Sequence, residues 1–309
     1  MSTTLTERDI AIVKGSIPLL ESAGSAITEH FYQRLFTHHP ELKHIFNMSN
    51  QQSGKQQFAL FNAIAAYAKY VDNLPALTSA VERIAHKHTS LNIQAEHYPI
   101  VGKHLLATLQ ELAPDAFTEE VTQAWAAAYQ QLADVLISVE NTLYQQKKEA
   151  HGGWKGGRQF RLIEKKMESE LVKSFVFEPN DGGAVVDYHA GQYIGIELTL
   201  PHHTYREIRQ YSLSDTPNGN TYRISVKRET NSTPGVVSNY LHDGLRLGDE
   251  VTLYPPAGDF FYTESTTPLV LISAGVGLTP MQSIVETLAK NAQQKGHTNH
   301  CPEIYYLHA

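Results

Sequence analysis

The side chains best suited to chemistry lie on helical stripes that are otherwise apolar. At 100° per residue Leu77, Val81, Ile84, Ala85 and His88 fall on one stripe, with His86 on the opposite side, so His88 is expected to be buried. Burying a neutral imidazole costs free energy unless both ring nitrogens find partners. A metal on one nitrogen and an acceptor on the other is one solution; a core histidine bonded to a backbone carbonyl is another, and the stripe alone favours the second. Glu140 lies beside Tyr129, Leu136 and Leu143 on the apolar side of a long helix, and Tyr98 shares a face with Val101, Leu105 and Leu109. Singly, Glu140 also reads as a solvated edge residue. A His–carboxylate–tyrosine cluster accounts for all three groups at once: the carboxylate would accept the histidine N–H, raise its basicity as a ligand and push electron density towards a bound iron.

Gln56 and Leu60 stand one turn apart, and Tyr32 lies near the apolar face formed by Ile27, Phe31 and Leu35. Alone each is ordinary packing; across a metal site they would supply amide and hydroxyl dipoles within an apolar pocket. Farther along, Arg209-Gln-Tyr-Ser212 joins a cation, an aromatic ring and a hydroxyl at the expected start of a strand. An arginine can neutralise phosphate, a tyrosine can stack on a ring system and a serine can bond a ring nitrogen. As four residues this also reads as an exposed strand, but Gly191-Gln-Tyr193 precedes it and Gly235-Val-Val-Ser-Asn239 follows at an expected helix start, where backbone N–H groups favour pyrophosphate. Gly275-Val-Gly-Leu-Thr-Pro280 after an apolar strand is a glycine loop suited to dinucleotide phosphates, with Pro280 where the commoner fingerprint has its third glycine.

The elements that must position these groups follow from periodicity. Between Leu5 and Gln146 apolar residues recur at spacings of three and four, and Pro18, Pro40, Pro75 and Pro114 mark starts, kinks or turns. Thr6-Glu-Arg-Asp9 predicts a helix start, and further helices are expected at about Ser22 to Thr37, Lys55 to Val71, Pro75 to Ser90, Ala95 to Leu112 and Thr118 to Gln146. Four glycines in His151-Gly-Gly-Trp-Lys-Gly-Gly157 predict a turn or linker and a domain boundary. Leu171 to Phe177, Tyr193 to Leu200, Tyr222 to Lys227 and Glu250 to Leu253, with turn signals such as Pro217-Asn-Gly, predict an antiparallel barrel or sandwich. From Leu269 a strand, the glycine loop, a helix to about Asn291 and a strand Ile304 to Leu307 form a βαβ opening.

The chain has 309 residues, enough for two or three domains. A net charge of −7 gives no basic field for a phosphate backbone, so no nucleic-acid partner is expected. The longest apolar run, around Leu269 to Ala274, falls far short of the roughly 20 residues of a membrane helix, and the first residues lack a secretory pattern, so a cytoplasmic protein is expected. The single cysteine, Cys301, excludes an intrachain disulfide or an iron–sulfur cluster, which leaves metal chemistry to the 16 histidines.

At this point the sequence resembles a globin and, more closely, a bacterial flavohaemoglobin. The resemblance covers essentially the whole chain and is carried by Asn47-Met-Ser-Asn50, Leu60-Phe-Asn-Ala-Ile-Ala-Ala-Tyr67, Lys87-His-Thr89 and Gly152-Gly-Trp154. It implies an all-α globin domain over residues 1–150, an antiparallel β-barrel FAD-binding domain of ferredoxin-reductase type over 151–263, and the N-terminal part of an α/β NAD(P)-binding domain over 264–309. It further implies haem b iron on His88, supported by Tyr98 and Glu140, with Tyr32, Gln56 and Leu60 distal, Phe46 packing on the haem and Lys87 beside the ligand. Tyr193, Arg209, Gln210, Tyr211 and Ser212 would hold FAD, with Val237 and Ser238 near its phosphates; Gly275, Val276, Gly277, Leu278, Thr279 and Pro280 would bind NAD(P)H. The implied activity is that of a monomeric nitric oxide dioxygenase: electrons pass from NAD(P)H through FAD to haem, and O2 oxidises nitric oxide to nitrate, which protects against nitrosative stress. Family members continue for several strands past Leu307-His-Ala309, with a Cys-Gly-Pro loop and a Phe-Gly-Pro segment, so a truncation within the nucleotide domain is expected. Two alternatives stand beside this reading: a haem-based O2 or nitric oxide binding or sensing protein with an inactive reductase half, and a general flavin reductase with a vestigial globin.

Overall fold

The computed structural model of the chain describes residues 5–46, 55–230, 234–265, 267–294 and 302–309. The Asn47–Asn50 motif and Cys301 lie outside the described residues. Two compact units result: one holds the residues up to His88 together with Ile93–Thr142, the other holds Thr89–Asn92 together with Leu143–Ala309.

The first unit is helical. Helix α1 (Glu7–Gly15) begins after Thr6, at the start that the sequence predicts; the Thr6 hydroxyl accepts from the Asp9 amide at 3.1 Å while the Asp9 carboxylate accepts from the Thr6 amide at 3.0 Å, a reciprocal cap. Helices α2 (Ile17–Ala23) and α3 (Ser25–His38) follow, and α3 stops before Pro40, whose ring disfavours helical geometry at His39; a 3₁₀ turn, Pro40–His44, then redirects the chain. Helices α4 (Lys55–Lys69), α5 (Thr78–Thr89), α6 (His97–Leu112) and α7 (Glu119–Glu149) complete the set, each within three residues of its expected bounds. The first turn expected of α5 is a separate 3₁₀ turn, Leu74–Leu77, set off by Pro75. Val13, Leu20, Phe31, Leu35, Leu109 and Trp125 are almost fully buried in the common core. Among the described residues no single helix is long and apolar enough to cross a membrane.

The second unit is built on strands β1 (Arg158–Met167), β2 (Val172–Pro179), β3 (Tyr193–Leu198), β4 (Glu207–Ser212), β5 (Tyr222–Lys227) and β6 (Glu250–Leu253), with helix α8 (Val236–Asp243) between β5 and β6. They form one antiparallel sheet in the order β4-β3-β6-β1-β2-β5, and its two edges approach at a single bridge, Leu213 to Ile224, so the predicted barrel is nearly closed rather than sealed. The glycine-rich His151–Gly157 segment contains neither helix nor strand. Phe160, Leu162, Phe175, Phe177, Ile194, Ile196 and Ile224 fill the barrel core. No strand was expected over Arg158–Met167, because its six charged or amide residues mask a core-facing pair, Phe160 and Leu162. Then β7 (Leu269–Ser273) pairs in parallel with β8 (Ile304–His308) through a 3₁₀ turn, Gly275–Gly277, and helix α9 (Leu278–Gln294). Leu271 packs with Met281, Ile284 and Leu288 of α9, while Val270 and Ile272 point the other way and are exposed.

Candidate functional site

His88 occupies the last turn of α5, where its carbonyl accepts from the Ile93 amide at 3.0 Å as the chain leaves the helix. Its Nδ1 lies 2.7 Å from Glu140 Oε1 on α7 and 3.1 Å from the Tyr98 hydroxyl on α6. The Tyr98 hydroxyl donates to the same carboxylate oxygen at 2.5 Å. The three helices thus deliver one polar group each to one point, as their stripes predict. Glu140 is 2% exposed, which excludes the solvated-edge reading. His88 departs from its expectation: its side chain retains 29% of its surface, so it is half-buried rather than sealed in the core.

The proton inventory of this cluster decides what His88 can do. An ionised carboxylate only accepts, so Nδ1 carries the hydrogen that it donates to Glu140, and Nε2 is left with a lone pair on the partly open side of the ring. An imidazole oriented through Nδ1 by a carboxylate, with a free Nε2, is the donor arrangement of a metal-ligating histidine. These residues fit a haem iron. Tyr98 is itself fixed: the Tyr129 hydroxyl donates to the Tyr98 carbonyl at 2.7 Å, and a side chain at Gly102 would collide with the Tyr129 ring. Neither Tyr129 nor Gly102 stands out in the sequence as functional; a glycine one turn after Tyr98 on a buried helix face is the signal that points to them.

Tyr32 on α3 is 5% exposed and sits in an aromatic wall, with ring centroids 5.8 Å from Phe36 and 5.7 Å from Phe46. Phe36 and Phe46 meet edge-on at 5.4 Å. Leu60 on α4 is half-buried against the same core, and Lys87 is exposed. Gln56 belongs to the first turn of α4, and its side chain lies outside the described residues.

In the second unit, Tyr193 pairs with Ser212, Ile194 with Tyr211, Gly195 with Gln210 and Ile196 with Arg209 across β3 and β4. Directly opposed residues share a face, so the pleat splits the tetrad: Arg209 and Tyr211 stand on the face of Ile194 and Ile196, and Gln210 and Ser212 on the face of Tyr193. Arg209 lies in the interior of β4 and Ser212 ends it, a correction to the expectation that Arg209 starts the strand. Its guanidinium is held by Glu207, two residues earlier on the same face, at 2.9 Å and donates to the Ile208 carbonyl at 2.9 Å. Gln210 Nε2 donates at 3.1 Å to Ser90, a residue of the Thr89–Asn92 segment that groups with this unit. Burial pushes the phenols of Tyr193 and Tyr211 up to about 12, so both remain neutral hydrogen-bonding groups. Gly258 adopts φ +121°, and a Cβ there would stand 2.9 Å from the Tyr193 ring, so the bare glycine makes room for it.

Val237 and Ser238 are buried in the first turn of α8, a helix whose start the sequence predicts here. The Ser238 hydroxyl donates to the Gly235 carbonyl and accepts from the Glu229 amide, both at 3.2 Å, and so shapes the turn itself. In the glycine loop Gly275 has φ +51°, Val276 and Leu278 are exposed, and Thr279 is buried and donates to the Val276 carbonyl at 2.9 Å; Gly277 and Pro280 are half-buried. A cavity of about 540 Å³ lies against β7, lined among others by Phe260, Phe261, Tyr262, Leu271 and Met281.

Comparison with known proteins agrees with this two-part organisation. Residues 29–136 match the family model described as Globin, and residues 159–262 match that described as Oxidoreductase FAD-binding domain. The chain is 65% identical over 288 residues to a flavohemoprotein of Vibrio cholerae, covering 93% of this chain and 73% of that protein. It is 50% identical over 294 residues to a flavohemoprotein of Rhizobium meliloti, covering 94% and 73%. A crystal structure of flavohemoglobin from Malassezia yamatoensis, with bound FAD and heme, superposes with a TM-score of 0.84 at 26% identity, covering 98% of this chain and 84% of the other.

Proposed function

Because the chain belongs to the flavohemoprotein family, oxidoreductases that join a globin domain to an FAD-binding domain, we propose that it is a nitric oxide dioxygenase. In the overall reaction two nitric oxide and two O2 consume one NAD(P)H and give two nitrate, NAD(P)⁺ and a proton. Haem held at His88 would supply the iron centre for the gases, and FAD held along β3 and β4 would supply the conversion of a hydride into single electrons. The observation that carries this reading is the His88–Glu140–Tyr98 cluster, which prepares one nitrogen for a metal and gives the other a carboxylate.

The protein's own residues bind, orient and exclude. Glu140 holds the Nδ1 hydrogen of His88, fixes the tautomer and makes Nε2 a stronger donor; Tyr98 keeps the carboxylate in place. Tyr32 offers a hydroxyl from an aromatic wall that keeps water out, with Gln56 and Leu60 completing the distal side, Phe46 packing on the macrocycle and Lys87 beside the ligand. In the flavin unit Tyr193, Gln210, Tyr211 and Ser212 orient the ring system, while Arg209 trades Glu207 for a phosphate near Val237 and Ser238. The amides of Gly275 through Pro280, at the start of α9, receive the nicotinamide dinucleotide phosphates. The functional divisions are 1–150 for haem, 151–263 for FAD and 264–309 for NAD(P)H, and the protein works as a cytoplasmic monomer without nucleic acid.

The test is nitric oxide consumption by the purified chain under air with NADH or NADPH. Steady consumption with nitrate formation is expected. Tight O2 or nitric oxide binding without turnover would instead assign a binding or sensing role, and ferric or cytochrome reduction that persists after haem loss would assign a flavin reductase.

A further inference from the structure

A second group of histidines lies away from His88, on the seam where α3 packs against α6. His104 is 2% exposed, and neither of its ring nitrogens makes a hydrogen bond. The rings of His38, at the end of α3, and His39, just beyond it, each stand 5.2 Å from the His104 ring, at interplanar angles of 43° and 79°. One turn along α6 the Thr108 hydroxyl is buried without a partner, as is Nε of Arg34 on α3. These four atoms are all the buried, unpartnered side-chain polar atoms found among the described residues of the helical unit, and all belong to this seam. Unpartnered polar atoms are rare in folded interiors and weaken the contact that buries them.

The charges around His104 are one-sided. On α3 it meets Arg34 and His38, from the α3 exit His39, and on its own helix Lys103. The carboxylates of the seam are committed elsewhere: Glu111 pairs with Arg34 and His30, and Glu41 accepts from His39 Nδ1 at 2.8 Å. His38 Nδ1 is satisfied by the Arg34 carbonyl at 2.9 Å. His39 therefore has a counter-ion for its proton and His104 has none. A proton on His104 would be buried among cations, without an acceptor, unless the ring moves into water. Among the described residues no three such groups converge on a point fit for a metal, so acid and not a cation is the natural agent.

We propose that the α3–α6 seam is an acid-operated joint, in which protonation of the His38–His39–His104 cluster parts the end of α3 from α6 and loosens the Tyr32–Phe36–Phe46 wall that the same segment carries. Burial and the neighbouring cations hold the His104 imidazole below its ordinary range, so the closed seam binds fewer protons than the open one. Acidification below about pH 6.5, the ordinary value for histidine, then drives opening. The joint needs no haem, so it is tested independently of the oxygen chemistry.

Amide hydrogen exchange of the full chain at pH 7.5 and 5.5, corrected for intrinsic rates, reads the joint. Protection over residues 34–46 and 104–108 is expected to fall by up to roughly tenfold at the lower pH, because pH 5.5 lies about one pH unit below the ordinary histidine value at which the opened ring takes its proton, while β2 stays constant. His104→Leu fills the site without a titrating group and should abolish the fall. Should that variant fold poorly, the double change His38→Asn with His39→Asn should instead diminish the fall, because two of the groups that hold the His104 proton off in the closed seam are gone. Unchanged wild-type protection, an undiminished fall in His104→Leu, or an undiminished fall in the double variant would each overturn the proposal.

Discussion

His88 and His104 are imidazoles of the same helical unit with opposite surroundings. His88 gives its Nδ1 hydrogen to Glu140 at 2.7 Å and keeps part of its ring open, whereas His104 is sealed, bonds to nothing and faces Arg34, His38, His39 and Lys103. Burial alone therefore does not identify a ligand. What distinguishes His88 is an acceptor placed behind one nitrogen, because that acceptor decides which nitrogen keeps its lone pair. His104 has no such partner and is left sensitive to protons instead.

His88→Gly should abolish haem retention, read as loss of the Soret band on purification, and added imidazole should restore it; His104→Leu should keep the band. Glu140→Gln keeps the shape of the acceptor but removes its charge, and should weaken haem binding roughly ten- to hundredfold in a transfer assay to apomyoglobin. Arg209→Ala carries the same question into the flavin unit: loss of a charge-assisted contact worth about 1.5–3 kcal/mol should weaken FAD binding at least tenfold, measured by flavin fluorescence. Tyr32→Phe should speed dioxygen release from the loaded protein about two- to tenfold by stopped flow, the range of one neutral hydrogen bond.

The smallest effect concerns pH and stability. Because the His104 titration is pushed below the ordinary 6.5, its contribution is fully present above that value and is lost as pH falls below it. The urea midpoint should therefore drop between pH 7.5 and 5.5, and drop less in His104→Leu; equal drops would assign the pH dependence to other groups.

Much of this was legible in the sequence, for reasons that differ by element. The stripes of α5, α6 and α7 carry His88, Tyr98 and Glu140 because a helical period maps directly onto a buried face, and the structure brings the three within hydrogen-bond distance. The Thr6–Asp9 cap was legible because it is local. Glu207 escaped notice because its importance lies in a pairing with Arg209 that only a strand's two-residue period creates. The split of Arg209-Gln-Tyr-Ser212 over two faces follows from the same period. His104 was invisible for another reason: its neighbours His38 and His39 lie more than sixty positions earlier, and no local pattern brings them together.

Glu140 is expected to act through His88 on the metal. Resonance Raman spectra of the ferrous protein report the iron–imidazole stretch, whose frequency rises with the electron density that the proximal ring donates. The wild-type chain should show this band, and Glu140→Gln should move it to lower frequency while the haem stays bound. A wild-type protein without the band, or a band that does not move in Glu140→Gln, would contradict the claim.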